Sequence, residues 1–463
     1  MQPIRHVAVI DIGKTNAKVA LVDMESLSET AVRKTPNKVR HDGPYPHHDT
    51  EALWSFIQAS LLELNVAQPI DAISVTTHGA TAALVDGNGG LALPILDYES
   101  SLPDATSVAY RAARPDFTET GAPLLPVGLN LAAQIFWQQA AYPEAFAGVA
   151  AILMYPQYWV YRLTGVMASE VTSLGCHTDL WNPVARTYSS LVERQGWLEL
   201  MPPLRSARDR IGPVLPAIAG PAALRPGVPV FCGIHDSNAS LLPHLQAWPK
   251  PFSVVSTGTW VISMAVGGST AALDPARDTL VNVSADGDPV PSARFMGGRE
   301  YEIMTGGQPA EWGDEDVSQV LARPLFLLPS VEQGSGPFPA RRSTWVNDAQ
   351  ATDAERQIAL SYYLAMMTTV SLELIGAASD TIVEGPFARN RAYLSMLAAA
   401  TGRKVICGSS GGTGTAIGAA LLTLDAGKRL DRSALETTES DPRLARYAEA
   451  WKALLLAGPG SPP

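Results

Sequence analysis

The pattern of apolar and polar positions predicts a β-hairpin close to the N-terminus. Val7–Asp23 contains an apolar run, a Gly-Lys-Thr-Asn turn and a second apolar run at Ala17–Val22. Val, Ile and Leu supply the two strands, and Gly13 and Asn16 tolerate the positive φ of a tight turn. The same pattern returns at Phe252–Val266, so the two hairpins form a weak internal repeat.

The turn of the first hairpin carries residue types that suit a metal–phosphate complex. Asp11 ends the first strand, and Lys14, Thr15 and Lys18 follow it. A carboxylate beside backbone amides, a hydroxyl and ammonium groups can hold a divalent cation and phosphate oxygens. An ordinary surface hairpin has the same pattern, so this stretch alone leaves both interpretations open. A Walker A loop is excluded, because Ala8 stands in place of its first glycine and a strand replaces its helix.

Apolar periodicity predicts the elements between the two hairpins. Thr50–Leu64 has helical spacing, Ala72–Thr76 is a short strand, and Leu129–Gly165 is expected to be mostly helical. A strand at Val230–Cys232 leads through a glycine turn into a helix. Leu242–Pro251, with prolines at 243, 249 and 251, is typical of a domain boundary.

In the second half, the longest predicted helix is Thr352–Ala377, which opens with a capping box of Thr352 and Glu355. Ile382–Asn390 is predicted as a strand that enters a Gly-Pro turn. Val405–Leu422 is predicted as a strand, a glycine-rich loop and a helix of small residues. A dinucleotide-binding loop is excluded there by the glycine spacing and by the lack of an acidic residue about 20 positions later.

Length and composition set the class of protein. A chain of 463 residues is too long for one core, so we expect α/β domains over residues 1–244 and 245–463. The net charge of −11 disfavours a nucleic-acid partner. Without an apolar run of about 18 residues or a secretory segment, we expect a cytoplasmic protein without a membrane span. Cys176, Cys232 and Cys407 are expected to be buried free thiols.

Three short segments resemble the FGGY carbohydrate kinases of the actin-like ATPase superfamily. DIGKTNAKV is similar to the first phosphate loop of that family, STGTW to the second, and GIHDSNAS to its strand–Gly–x–x–Asp element. The resemblance covers essentially the whole chain, in order. It implies two actin-like (ribonuclease H-like) domains with a nucleotide and sugar cleft between them. HDSNA, STGTW and PQYWVYRLTG resemble most the kinases that act on L-rhamnulose or L-fuculose.

The resemblance implies ATP and Mg²⁺ as cofactors and assigns roles to individual residues. Implied ATP ligands are Gly13, Lys14, Thr15, Asn16, Thr257, Gly258, Thr259, Gly385, Gly411 and Gly412. Implied sugar ligands are Thr77, His78, Gly79, Asp97, Asp236 and Asn238. Implied magnesium ligands are Asp11 and Asp236. On residue pattern alone, His78 also suits a structural histidine with satisfied hydrogen bonds.

Asp236 is the candidate general base. Phosphorylation of a sugar needs a carboxylate that accepts the hydroxyl proton, and Asp236 stands on a glycine turn at the start of a helix. A plain helix-capping aspartate has the same pattern. The two phosphate loops favour the catalytic interpretation, and the family resemblance names the same residue.

The sugar-side candidates favour a neutral substrate, a ketose or deoxyketose such as L-rhamnulose, L-fuculose or a xylulose. They contain no lysine or arginine, and carboxylates such as Asp97 and Glu99 would repel an anionic sugar. Asp97-Tyr98-Glu99-Ser100 stands where many family members have Trp-x-Asp-x-Arg, and Gln157 stands where an aspartate is frequent. Both differences from the family pattern affect the expected substrate and do not change the expected ATP site.

Two functions from other classes fit parts of the sequence. The first is an actin-like nucleotide switch that senses a small ligand and hydrolyses ATP, which has no need of a carboxylate such as Asp236. The second is a dinucleotide-dependent oxidoreductase, indicated only by the glycine-rich loop. We expect a small neutral sugar as partner, with no nucleic acid and no membrane, and a homodimer is left open.

Overall fold

The chain folds into two compact units. A computed structural model describes residues 3–270, 273–408, 414–424, 435–438 and 441–457. The first unit takes in the described residues of Met1–Ala247, Val281–Pro289 and Thr413–Leu430. The second takes in those of Trp248–Leu280, Val290–Gly412 and Asp431–Pro463. The expected boundary between residues 244 and 245 stays a prediction.

A mixed sheet forms the centre of the first unit. Across this sheet the strands are Ser28–Pro36, Asn16–Asp23, His6–Ile12, Ala72–Thr77, Pro229–Phe231 and Arg210–Pro213. His6–Ile12 is antiparallel to Asn16–Asp23 and parallel to Ala72–Thr77, with Ile12 opposite Thr77. A short strand, Ile234–His235, is also parallel to Ala72–Thr77. The carboxyl ends of these parallel strands therefore meet at one edge.

The turn of the first hairpin differs from the sequence expectation in its backbone. Neither Gly13 nor Asn16 is among the described residues with a positive φ. The turn is instead closed by the Gly13 N–H, which donates to the Asn16 carbonyl oxygen at 2.9 Å. Three residues between the strands leave room for this wider turn, so no left-handed residue is needed.

Helices and short strand pairs surround the first sheet. The paired short strands are Val39–Arg40 with His47–His48, Ala82–Asp86 with Val149–Met154, and Trp181–Asn182 with Thr187–Tyr188. The α-helices are Thr50–Ala67, Ser107–Ala113, Phe117–Thr120, Leu131–Ala141, Pro143–Phe146, Tyr155–Thr164, Val171–Leu174, Ser190–Arg194, Pro216–Ala219, Asp236–Ala247 and Thr415–Leu421. 3₁₀-helices lie at Leu102–Thr106 and Leu198–Leu200.

Two details of this unit were not expected from the sequence. Leu129–Gly165 is mostly helical, as expected, but it also contains the buried strand Val149–Met154. The apolar run of this strand shows no periodicity that would distinguish a strand from a helix. The helix Asp236–Ala247 continues through Pro243 and so extends into the proline-rich segment Leu242–Pro251.

The second unit repeats the sheet arrangement of the first. The strands of its sheet, in order across the sheet, are Thr279–Val283, Pro289–Phe295, Val261–Val266, Phe252–Thr257, Thr381–Glu384, Val405–Gly408 and Leu435–Thr438. Phe252–Thr257 is antiparallel to Val261–Val266 and parallel to Thr381–Glu384. A smaller pair joins Phe326–Leu328 to Thr344–Val346. Both units thus build a hairpin and a parallel strand in the same order.

One long helix crosses the core of the second unit. Asp353–Leu374 begins with the predicted capping box of Thr352 and Glu355, and nearly its whole length is buried. The other α-helices are Gly297–Thr305, Asp314–Ala322, Arg391–Thr401 and Pro442–Ala457, and 3₁₀-helices lie at Pro275–Arg277 and Pro386–Arg389. Among the described helices of both units, none combines the length and the apolar composition of a membrane span.

Candidate active site

The edge where the parallel strands of the first unit end gathers most of the predicted site residues. Asp11 precedes the last residue of its strand, Thr77 ends the neighbouring strand, and Asp236 directly follows Ile234–His235. Ligands of α/β sheets bind at the carboxyl ends of parallel strands, because loops from several strands converge there. Residues separated by more than 200 positions in sequence therefore lie at a common edge.

The first loop is held in shape by a residue that sequence patterns did not indicate. The Asn37 side chain donates to the Gly13 carbonyl oxygen at 2.8 Å, and its backbone N–H donates to the Thr15 carbonyl oxygen at 2.9 Å. Thr15 and Asn16 are exposed at the tip of the loop. The loop is thus fixed from behind, and its polar groups remain available to a ligand.

Asp11 lies in a charged environment at the end of its strand. Burial raises the pKa of its carboxyl group, and the negative charge of Asp236 adds to this effect. Lys18 opposes it, since its ammonium group lies 3.5 Å from the Asp11 carboxylate and 3.0 Å from that of Glu29. Two carboxylates that repel each other are an arrangement that a divalent cation stabilises.

Asp236 begins a helix and retains access to solvent. Its carboxylate accepts a hydrogen bond from the Ser237 N–H at 2.6 Å and lies 3.1 Å from His235 Nε2. Its side chain is 34% exposed, so a small molecule can reach the carboxylate. Burial raises the pKa of Asp236, and the nearby His78 ring opposes this shift.

A buried hydrogen-bonded chain supports the backbone that carries Asp236. The His235 N–H donates to the Thr172 hydroxyl at 3.1 Å, and that hydroxyl donates to the Glu170 carboxylate at 2.5 Å. Burial raises the pKa of Glu170 to about 7 and lowers that of His235 to about 4. Sequence patterns gave no sign of Glu170 or Thr172, because neither lies in a motif.

Gly79 is required by the close approach of His235. A Cβ atom at position 79 would lie 2.8 Å from His235 Nε2, so any side chain there would displace the ring. Two other predicted sugar ligands are also engaged in internal contacts. The Thr77 hydroxyl donates to the His78 carbonyl oxygen at 2.9 Å, and the Asn238 amide lies 3.3 Å from His235 Nδ1.

His78 is buried in a group of rings. Its Nδ1 lies 2.9 Å from the Gly79 carbonyl oxygen, and its Nε2 has no hydrogen-bond partner among the described residues. The ring centroids of Tyr98 and Tyr155 lie 5.3 and 5.1 Å from that of His78. Burial lowers the pKa of His78, so the ring is neutral near pH 7.

Lys14 joins the first loop to the segment that contains Asp97. Its ammonium group donates to the Asp97 carboxylate, lies 3.3 Å from that of Glu99 and sits 4.8 Å from the centre of the Tyr98 ring. The expectation of a sugar side without lysine or arginine is therefore wrong. The two carboxylates outnumber the one ammonium group, so this cluster carries no surplus of positive charge.

The second unit has its own glycine-containing turn at the end of a strand. The Gly258 N–H donates to the Trp260 carbonyl oxygen at 2.9 Å. The Thr257 hydroxyl donates to the Glu384 carbonyl oxygen and accepts from the Phe387 N–H at 3.1 Å. Gly385 has a φ of +81°, and a Cβ atom there would lie 2.0 Å from the Thr257 carbonyl oxygen. The predicted Gly385 thus lets two strand ends approach each other.

A cavity of about 840 Å³ opens beside this turn. It is lined by Gly258 and Thr259 of the turn, by Arg389 and Asn390 of the segment that follows Gly385, and by residues that sequence patterns did not indicate, among them Gly298, Arg299, Trp312 and Arg391. The Arg391 guanidinium lies 5.2 Å from the centre of the Trp312 ring. This volume is within the usual range for small-molecule sites. The predicted Gly411 and Gly412 lie outside the described residues.

Residues that fit a magnesium ion lie in the first unit. The described residues contain no group of three or more histidine, cysteine, aspartate or glutamate side chains placed to hold a metal. Mg²⁺ in phosphoryl-transfer sites is held by one or two carboxylates, with water and phosphate oxygens as the other ligands. Asp11 and Asp236, which influence each other electrostatically, fit that pattern.

Comparison with known proteins gives matches over most of the chain. Residues 6–243 match the N-terminal domain of the FGGY family of carbohydrate kinases, and residues 249–432 match the C-terminal domain of carbohydrate kinase FGGY. A curated relative, L-fuculokinase of Escherichia coli (strain K12), is 24% identical over 269 residues, which is 56% of each chain. The chain thus spans about half the length of that relative.

Solved structures extend the likeness to the full length. The crystal structure of a carbohydrate kinase from Novosphingobium aromaticivorans is 35% identical, with a TM-score of 0.91 over 98% of this chain and 99% of that one. The structure titled as a xyloylose kinase from Brucella ovis has a TM-score of 0.79 at 19% identity, with the same coverage of both chains. The second likeness concerns the fold alone.

Proposed function

Because this chain belongs to the FGGY family of carbohydrate kinases, we propose that it transfers a phosphoryl group from ATP to a hydroxyl group of a neutral sugar. The observation that carries this proposal is the position of Asp236. Asp236 directly follows the strand Ile234–His235, which pairs with Ala72–Thr77. Its carboxylate is accessible to solvent, and the pKa of this group is raised. A base of that kind accepts a proton more readily than an ordinary aspartate near neutral pH.

In the proposed reaction, Asp236 accepts the proton as the sugar oxygen attacks the γ-phosphorus of ATP. The bond from that phosphorus to the bridging oxygen breaks, and ADP carries away the electron pair. Ser237 and the Thr172–Glu170 chain hold the aspartate and its backbone in place. Positioning of this kind contributes much of the rate enhancement in phosphoryl transfer, since the transition state is loose.

A phosphate-binding role is assigned to the glycine turn of each unit, and an adenosine-binding role to the cavity of the second unit. The exposed polar groups of Thr15, Asn16 and Thr259 suit phosphate oxygens, whereas the Gly13 and Gly258 N–H groups close their own turns. The cavity beside Thr259, with Trp312 and Arg391 in its wall, has room for an adenosine group. Asp11 and Asp236 would hold a magnesium ion, which neutralises phosphate charge when bound.

The sugar is assigned to His78, Asp97 and Asp236, and we propose a neutral ketose or deoxyketose. A neutral His78 ring and carboxylates provide directional hydrogen bonds. The Lys14 charge is balanced by Asp97 and Glu99, so the cluster offers no clamp for an anionic sugar. The similarity to L-fuculokinase, to a probable L-xylulose kinase over a stretch of similar length and to a rhamnulokinase over a shorter stretch supports this class.

A substrate screen tests the proposal. The purified protein would be incubated with Mg²⁺, ATP and one of L-fuculose, L-rhamnulose, L-xylulose or gluconate, and ADP and sugar phosphate would both be quantified. We expect one ADP per sugar phosphate with at least one ketose, and gluconate as the poorest acceptor. ADP release that is stimulated by sugar without sugar phosphate would instead indicate a nucleotide switch. Gluconate as the best acceptor would overturn the neutral-sugar assignment.

A further inference from the structure

His48 is a buried polar residue that lies next to the proposed sugar ligand His78. It is 2% exposed, and its ring centroid lies 5.3 Å from that of His78 and 5.4 Å from that of Tyr155. Neither of its ring nitrogens has a hydrogen-bond partner among the described residues. His48 belongs to the two-residue strand His47–His48, far from any motif of the sequence.

Buried polar side chains nearly always have hydrogen-bond partners, so each exception calls for a partner of another kind. Here three unpaired nitrogen atoms, two on His48 and Nε2 on His78, belong to neighbouring rings. The charge of Lys14 acts on both rings, and that of Asp236 acts on the His78 ring. The hydroxyl groups of a ligand are partners of the kind that these nitrogens need.

We propose that His48 is a specificity-determining residue for the acceptor sugar, and that His48 and His78 together hydrogen-bond hydroxyl groups that Asp236 does not deprotonate. This inference rests on the proposed kinase function. It adds a residue that neither the sequence motifs nor the family resemblance indicated.

The chemistry of the two rings defines which groups they can recognise. The Gly79 carbonyl oxygen can only accept, so His78 Nδ1 carries the proton and its Nε2 is left as an acceptor. Burial and the neighbouring His78, Lys14 and His47 lower the pKa of His48, so its ring is neutral and offers one donor and one acceptor. A hydroxyl group both donates and accepts, and two adjacent hydroxyls match this set. A carboxylate or phosphate lacks the donors that two of these nitrogens need.

Three variants test the role of His48. His48→Phe keeps the ring and removes both nitrogens, His48→Gln keeps a donor and an acceptor, and His47→Gln is a matched control on the same strand. His47 is partly exposed, and its Nδ1 already contacts the Tyr45 carbonyl oxygen at 2.7 Å. The probes are L-fuculose, L-rhamnulose and L-xylulose, with KM and kcat measured for sugar and for ATP. Sugar binding without nucleotide would be measured by calorimetry.

We expect His48→Phe to raise the sugar KM and Kd more than about 30-fold, with the ATP KM within about twofold of wild type. His48→Gln should raise the sugar KM by about 3- to 10-fold, and His47→Gln by less than about twofold. If His48→Phe does not fold, His48→Gln decides. If His48 had only a structural role, its variants would change the sugar KM and the ATP KM alike. His48→Gln would then not restore the sugar KM.

Two results would overturn the inference, and they differ from a failure of the proposed function. Wild-type sugar affinity in both His48 variants, or an equal rise of the ATP KM in them, overturns the role of His48 and leaves the kinase proposal standing. A wild-type protein that neither binds nor phosphorylates any of the three sugars overturns both.

Discussion

The ammonium group of Lys14 donates a hydrogen bond to the carboxylate of Asp97, although the two residues are 83 positions apart in sequence. Their side chains are only 17% and 9% exposed. Lys14 belongs to the turn assigned to phosphate, whereas Asp97 belongs to the segment assigned to sugar. A single ion pair thus links two parts of the proposed site within the first unit.

The first prediction concerns this ion pair. Lys14→Met should lower the free energy of unfolding by about 3 kcal/mol, because it leaves a buried carboxylate without its counter-charge. The double variant Lys14→Met/Asp97→Asn should recover at least half of this loss. Urea unfolding of the wild type and of both single and double variants forms a double-mutant cycle. Strictly additive changes, or an equal loss in the exposed control Lys38→Met, would contradict the role of the pair.

The second prediction concerns Asp11. Asp11→Ala should raise the Mg²⁺ concentration needed for half-maximal activity at least tenfold, because one of two proposed carboxylate ligands is lost. Sugar affinity in the absence of nucleotide should not change. The test combines a magnesium titration of activity with calorimetry of sugar binding. Loss of sugar affinity with an unchanged magnesium titration would mean that Asp11 serves the sugar instead.

The third prediction concerns the hydrogen-bonded chain behind Asp236. Thr172→Val keeps the shape of the side chain and removes the hydroxyl between His235 and Glu170. We expect kcat to fall about tenfold and both KM values to stay within about twofold, because only the position of the base is disturbed. Thr172→Ser should restore most of the activity. A valine variant with normal kcat would show that this chain serves stability alone.

The fourth prediction concerns pH and the buried Glu300. Its carboxylate accepts hydrogen bonds from the Glu332 N–H at 3.1 Å and the Tyr363 hydroxyl at 3.0 Å, and burial raises its pKa to about 7. The folded state therefore holds the proton more tightly than the unfolded state. Its contribution to stability is complete below pH 4.5 and is lost as pH rises to about 7, in total about 3 kcal/mol.

Glu300→Gln removes this titration. The difference in unfolding free energy between the variant and the wild type should grow in favour of the variant from pH 5 to pH 8. Chemical unfolding at four pH values measures it, and Glu170, with a similar pKa, contributes equally to both proteins. A difference that does not vary with pH would contradict the raised pKa of Glu300.

Local sequence patterns were sufficient to predict the family and the two α/β units of the fold. Both predictions are confirmed. The two hairpins and the capping box of Thr352 are determined by residues that are close in sequence. They can therefore be predicted from the sequence alone. The strand Val149–Met154 was missed because its position is set by pairing with Ala82–Asp86, a distant segment.

The contacts of the candidate site were less accessible to sequence reasoning. Asn37, His48 and Thr172 act through tertiary contacts and lie in no motif, and the Lys14–Asp97 pair depends on how two loops fold back on the sheet. Sequence motifs did identify the candidate residues at strand ends. The position of such residues is fixed by the local backbone, which the motifs reflect. The other side chains of the proposed site come from segments that only the folded chain brings together.

The central claim is that Asp236 is the base in phosphoryl transfer to a sugar, and the rate of a single turnover in Asp236→Asn tests it most directly. Wild type and variant would be mixed with Mg²⁺, ATP and the best sugar of the screen, with sugar phosphate quantified over time and ADP affinity measured separately. The account predicts a rate about 10²- to 10⁴-fold lower, with ADP affinity within about twofold, because the amide keeps the shape and cannot accept the proton. Near-normal sugar phosphate formation by the asparagine variant would contradict it.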